Sequence, residues 1–284
     1  MNLTGCRAFF VGSLLLVLTA CAVNLPPARP TAFSGTIEPI PAAAPVVIGD
    51  SAAASTSFEI INSTRVFERG STRPAATIDV ALAGDRRIVE RPWGYEVRAT
   101  ITDASVTSDR RMDATSERNM ANIADGLRNL ELRMRLDRDR QPLPHSLHVA
   151  GQPLAADGSG GMGDLPEQAR DLLGRLMEQA YLMPGRRLAT GDHATGFTQP
   201  LPTGRSFSVR EVVEGKVIHE GREAVLLRTE ADLPAGVSLA TAGYSVVDLA
   251  TGLPLLWQAN MVTVQQGIGS ESLVTARYTI HGPD

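Results

Sequence analysis

Alternation of apolar and polar residues is the dominant pattern along this 284-residue chain. Tyr95, Val97, Ala99 and Ile101 alternate with Glu96, Arg98, Thr100 and Thr102. Leu130, Leu132, Met134 and Leu136 do the same against Glu131, Arg133, Arg135 and Asp137, as do Val274, Ala276, Tyr278 and Ile280 against Thr275, Arg277 and Thr279. A period of two marks strands with one buried face. Weaker runs lie at 58–67, 77–83, 87–91, 206–213, 216–219, 223–230, 236–248 and 255–265. Gly84-Asp85, Pro92, Glu214-Gly215, Glu220-Gly221 and Pro234-Ala235-Gly236 read as the turns between them. Such short punctuation favours antiparallel hairpins over parallel crossovers.

One stretch breaks the period. Leu165, Ala169, Leu172, Leu173, Leu176, Ala180 and Tyr181 share a stripe at helical spacing. Asp164 and Glu167 form a capping pair, Pro166 sits in the first turn, and Pro184-Gly185 ends the run. The spacing predicts a long helix over 165–183, and a shorter one fits Ser116–Gly126. Ten to twelve strands make a sheet roughly 50–60 Å wide, whereas a helix of that length is about 28 Å long. The helix covers only part of the apolar face, so the sheet must curl or fold over. The expected class is α+β, mainly antiparallel β: a large curled sheet, half-barrel or sandwich, with one long helix. A curled sheet closed by a helix leaves room for an apolar ligand. In that shape it resembles the half-barrel carriers of lipids and lipoproteins in bacterial envelopes, a likeness of fold with no shared motif.

The N-terminus has a different character. Arg7 is the only charge before an apolar run from Phe9 to Leu18, which is too short to span a bilayer and suits a signal peptide. Leu18-Thr19-Ala20-Cys21 closes it, and this resembles the lipobox of bacterial lipoproteins. The resemblance implies cleavage of 1–20 and acylation of Cys21, with the membrane as a partner through the acyl chains. Several chains hold a soluble domain far more firmly than one. Ala22, rather than aspartate, follows the cysteine; in that family this implies the outer membrane, with the domain facing the periplasm. Residues 21–55 are rich in Pro and Ala and read as a disordered tether, leaving 56–284 as the β-rich domain. Leu136–Leu143 and Val247–Leu255 have nearly the same turn chemistry, consistent with a two-fold internal repeat.

Composition narrows the function. The two cysteines are Cys6 and Cys21, so the mature domain folds without a disulfide and holds no cysteine-type zinc site. Loss of the leader removes Arg7 and moves the formal charge from −4 to −5, which argues against nucleic acid as a partner.

Candidate chemistry is sparse. Gly158-Ser159-Gly160-Gly161-Met162-Gly163 fits a dinucleotide fingerprint, but Asp164 places a negative charge where phosphate would sit, so it reads as a loop. Asp192-His193, His145 and His148 lack the spacing of a metal or hydrolase site. Arg133, Arg135, Arg138 and Arg140 could meet an anionic envelope partner, yet Glu131, Asp137 and Asp139 nearly cancel them, which favours a solvated sheet face. Trp93 and Trp257 read as packing residues. No catalytic, metal or cofactor residue is assigned. The leading expectation is a lipoprotein that binds an apolar ligand or an envelope protein. An envelope hydrolase with an unrecognised site around Asp192-His193, or a structural subunit of an outer-membrane assembly, are the alternatives.

Overall fold

In the computed structural model the alternating segments assemble, among the described residues, into a twelve-stranded antiparallel sheet, curled but not closed into a barrel. The structure describes residues 32–49, 55–67, 73–138, 143, 146, 148–149, 152–153, 182, 184–200, 206–232, 239–265 and 268–281. The leader, Cys21 and the expected helix over 165–183 (apart from Leu182) lie outside the described residues.

The N-terminal half contributes β2 (Ser55–Phe67), β3 (Ala76–Arg91), β4 (Gly94–Ser108), β5 (Glu131–Leu136), β6 (His148–Val149) and β7 (Gln152–Pro153). The C-terminal half contributes β9 (His193–Pro200), β10 (Ser206–His219), β11 (Arg222–Asp232), β12 (Leu239–Asp248), β13 (Pro254–Gln265) and β14 (Ile268–His281). Each half is a meander. They meet at β2 and β14, which pair from Ser55–His281 to Phe67–Gly269. The sheet order is therefore β7-β6-β5-β4-β3-β2-β14-β13-β12-β11-β10-β9. A separate two-stranded ribbon joins β1 (Val46–Val47) to β8 (Arg187–Leu188).

Two of the expected turns are not turns. Strand β3 runs straight through Gly84-Asp85, with its register shifting between Ala83 and Gly84, and β10 runs through Glu214-Gly215 with a shift between Val213 and Gly215. Both are bulges, the other common meaning of glycine inside a strand pattern. A Cβ on Gly84 would sit 2.1 Å from the Thr100 carbonyl oxygen and 2.8 Å from Cζ of Phe58, so the glycine serves close approach. Glu220-Gly221 does turn: φ of 50° and 79° are the two positive values a tight two-residue hairpin requires.

The short helix α1 (Ala114–Leu127) is present and packs on β4. Ser116, Met120, Ile123, Ala124 and Leu127 form its inner stripe. Asp113 caps it by accepting hydrogen bonds from the Thr115 and Ser116 amides at 2.9 Å each. Those bonds, Ser116 first, hold the Asp113 carboxyl below its ordinary value near 3.8. A lowered folded value gives stability that is complete above the ordinary value and lost as pH falls through the lowered one. Acidification below that window is expected to fray the first turn of α1, read as reduced amide-exchange protection, relative to the intrinsic rate, at Thr115 and Ser116. In Asp113→Ala the same amides are less protected at neutral pH, and that protection no longer falls on acidification.

Residues 32–49, placed in the tether by composition, are built into the domain. Glu38 and Lys216 exchange backbone hydrogen bonds at 2.8 and 2.7 Å. The Ile40 amide donates to Oγ1 of Thr190 at 2.8 Å, and the Gly49 amide to the Leu249 carbonyl at 2.8 Å. Ile40 and Ile48 enter a core cluster with Leu188, Val213, Val225, Leu227 and Val247. Phe33 stands edge-on to Tyr244 at 5.8 Å, on the opposite face. Burial by such neighbours raises the Tyr244 hydroxyl above its ordinary pKa. Proline keeps this strap extended, which suits a segment that lies along an edge rather than in a helix.

Candidate functional site

Directly opposed residues of an antiparallel ladder share a face, so the register maps the inner surface. One row crosses eight strands from β4 to β10: Ala104, Leu82, Ile60, Ala276, Trp257, Ser245, Leu227 and Val213. Seven of the eight are apolar. At about 4.8 Å per strand the row follows an arc of roughly 34 Å. The flanking positions Phe58, Val97, Ile101, Leu132, Val274 and Tyr278 join the same cluster. Leu227 and Val213 belong instead to the cluster that the strap residues Ile40 and Ile48 cover, so the candidate binding face is the stretch from Ala104 to Trp257.

The polar exceptions of the inner surface sit toward opposite ends. On β3, Arg86 points inward in phase with Leu82 and Ile88; it is 2% exposed, and its guanidinium lies 4.9 Å from the centre of the Tyr278 ring. On β10, Glu211 is equally inward, in phase with Val209 and Val213, and accepts a 2.5 Å hydrogen bond from the Ser245 hydroxyl. Thr229, directly opposite Glu211, buries its hydroxyl oxygen beside them. The inner surface thus carries a buried guanidinium on one limb and a buried carboxylate on the other.

The residues singled out in the sequence do not converge. Asp192 accepts a 2.8 Å bond from the Ala189 amide and closes the turn before β9. His193 is exposed at the start of β9, where its carbonyl accepts from Arg186. His148 lies on β6 opposite Arg133. Among the described residues no three His, Cys, Asp or Glu side chains are grouped to hold a metal. Arg133 and Arg135 are on the outer face, the first 3.3 Å from Glu131 and the second 5.3 Å from the Trp93 ring centre. Arg138 donates to the Pro92 carbonyl at 3.3 Å. Trp93 is therefore a 40% exposed hairpin residue under Arg135 rather than core, while Trp257 does face the core. Cys21, His145, Arg140 and Gly158–Gly163 lie outside the described residues.

Arg86 and Glu211 were not anticipated, although a signal existed. Each keeps phase with apolar neighbours two residues away. A strand break at Gly84-Asp85 hides the phase of Arg86, because a charge beside a turn looks solvated; Val209, Glu211 and Val213 keep phase within the single run 206–213.

No family model matches the chain, and no curated protein matches it. Among solved structures, the chain is similar over 82% of its length to a quarter (25%) of lipovitellin, described for its lipid–protein interactions, at 9% identity and a TM-score of 0.39. It is also similar to an exported protein with a YmcC-like fold from Bacteroides fragilis (11% identity, 81% of this chain and 97% of that one, TM-score 0.25). A LolA superfamily protein from Nitrosomonas europaea gives 9% identity, 84% and 89% coverage, and a TM-score of 0.19.

Proposed function

We propose that this chain is a lipoprotein anchored through acylated Cys21 in the bacterial outer membrane, with its domain in the periplasm, and that its curled sheet holds an apolar ligand or the apolar segment of a partner. The observation that carries the binding reading is the inner row outside the strap-covered cluster: five apolar side chains, Ala104 to Trp257, on five adjacent strands of a sheet not closed into a barrel. An apolar lining with few placed polar groups is the usual make-up of a small-molecule site. Arg86 supplies such a group. The anchor reading rests on Leu18-Thr19-Ala20-Cys21 alone.

Both halves are tested on the full chain. Native mass spectrometry of protein extracted from membranes in mild detergent is expected to show an apolar adduct that leaves on denaturation, on top of a covalent acyl mass at the N-terminal cysteine. Protein that emerges empty from every extraction refutes the ligand. Cys21→Ala is expected to lose acyl labelling and move to the soluble fraction; persistent labelling would falsify the anchor.

A further inference from the structure

The outer face of β3–β6 carries a feature visible only through the register. Arg87 pairs with Arg98, Arg98 with Arg133, and Arg133 with His148, so three arginines and a histidine stand in line across four strands. Ser55 continues the line on β2. At about 4.8 Å per strand the four basic positions fall within about 15 Å. Like charges directly opposite one another are destabilising, so a row of this kind costs the fold something unless an anion joins it.

Carboxylates flank the row, and two of its three arginines already hold one. Glu96 is shared between Arg98 and Arg91; burial alone would raise its carboxyl, and the hydrogen bonds from these two arginines outweigh that and lower it. Glu131 faces Arg133 at 3.3 Å. Asp85 lies on the same outer face, two residues from Arg87 on β3. Over the row the surface dips into an open cleft of about 460 Å³ lined by Ser55, Arg87, Arg98, Thr100 and Arg133, with Asp85 and Glu131 at the Thr100 side.

We propose that this cleft binds a phosphoryl group. A planar carboxylate is satisfied by one guanidinium fork, whereas a tetrahedral phosphoryl presents three oxygens that adjacent forks from neighbouring strands can meet together. The hydroxyls of Ser55 and Thr100 add neutral donors beside them. Asp85 and Glu131 close one side with negative charge, which favours a single compact phosphoryl over an extended polyanion. The cleft is on the face opposite the apolar row, so it stands or falls independently of what that row holds.

The test is calorimetric titration of the full chain in nonionic detergent with inorganic phosphate, with dihexanoyl phosphatidic acid and with dihexanoylglycerol. Phosphate and phosphatidic acid are expected to bind, and the phosphate-free lipid is not. Binding of both ligands means that the phosphoryl alone suffices; binding of phosphatidic acid alone means it is read on a lipid, and of phosphate alone that it is read free. Arg98→Gln with Arg133→Gln should weaken binding at least about tenfold, the usual order for loss of charge-assisted bonds. Far-ultraviolet circular dichroism of the variant should match the parent, which separates lost binding from lost folding; its melting temperature balances relieved repulsion in the row against the loss of the Arg98–Glu96 and Arg133–Glu131 pairs. Arg277→Gln, on the same face of β14, should bind as the parent does. No binding of either phosphate ligand, equal binding of dihexanoylglycerol, or equal losses in Arg277→Gln overturns the proposal.

Discussion

Phe58→Ala is expected to lower the unfolding free energy by about 3–5 kcal/mol, a large share of the roughly 5–15 kcal/mol that holds a domain together. Phe58 lies on β2 at the seam between the two meanders and is 2% exposed. Its register partners are Tyr278 on β14 and Gly84 on β3. The near contact between its Cζ and the missing Cβ of Gly84 shows that the ring rests over the glycine. A side chain cannot be added at Gly84 without moving backbone, so nothing local can fill the hole that alanine leaves. For a domain of this size the loss is about 10 °C in melting temperature. Denaturant unfolding followed by far-ultraviolet circular dichroism measures it. A loss below about 1 kcal/mol would show that the seam is loosely packed and that the bulge at Gly84 has another cause.

A chain that begins at Thr56, where composition alone places the domain, is expected to lose still more. Its missing strap contains Ile40 and Ile48, at 4% and 1% exposure, each worth about 1.5–3 kcal/mol of burial. Two strand pairings go with them: β1 with β8, and Glu38 with Lys216 on the stretch of β10 beyond its pairing with β9. Loss of about 5 kcal/mol or more leaves little cooperative structure in the C-terminal half. A chain that begins at Ala32 keeps all of these contacts and should melt as the full protein does. Equal melting temperatures for the two truncations would show that the strap is only draped on the surface.

The strap also marks where sequence reading reached its limit. Period-two alternation gave most of the strands and the antiparallel class, because each side chain's face is decided locally. Segment 32–49 looks like linker because its proline, alanine and glycine hide two isoleucines whose partners, Leu188 and Val247, lie over 130 residues away. Arg87, Arg98 and Arg133 each look like an ordinary outward charge on its own strand. Only the register brings them into one row, and register between strands so distant in sequence is a tertiary fact. Arg86 and Glu211 were legible in principle. Reading Gly84 as a bulge puts Arg86 in phase with Leu82 and Ile88, and Glu211 already alternates with Val209 and Val213.

The central pairing of β2 with β14 has a consequence for how the chain reaches its fold. Thr64 and Ser272 touch at 2.9 Å across a sequence separation of 208 residues. A chain emerging amino end first has β2 to hand early and must leave its outer edge bare until the last strand arrives. That edge carries the apolar residues Phe58 and Ile60, and an open apolar strand edge invites pairing with other chains. Closing so long a loop is also slow. Assembly of the N-terminal meander can therefore precede completion of the sheet, and in that interval the bare β2 edge is open to pairing with other chains.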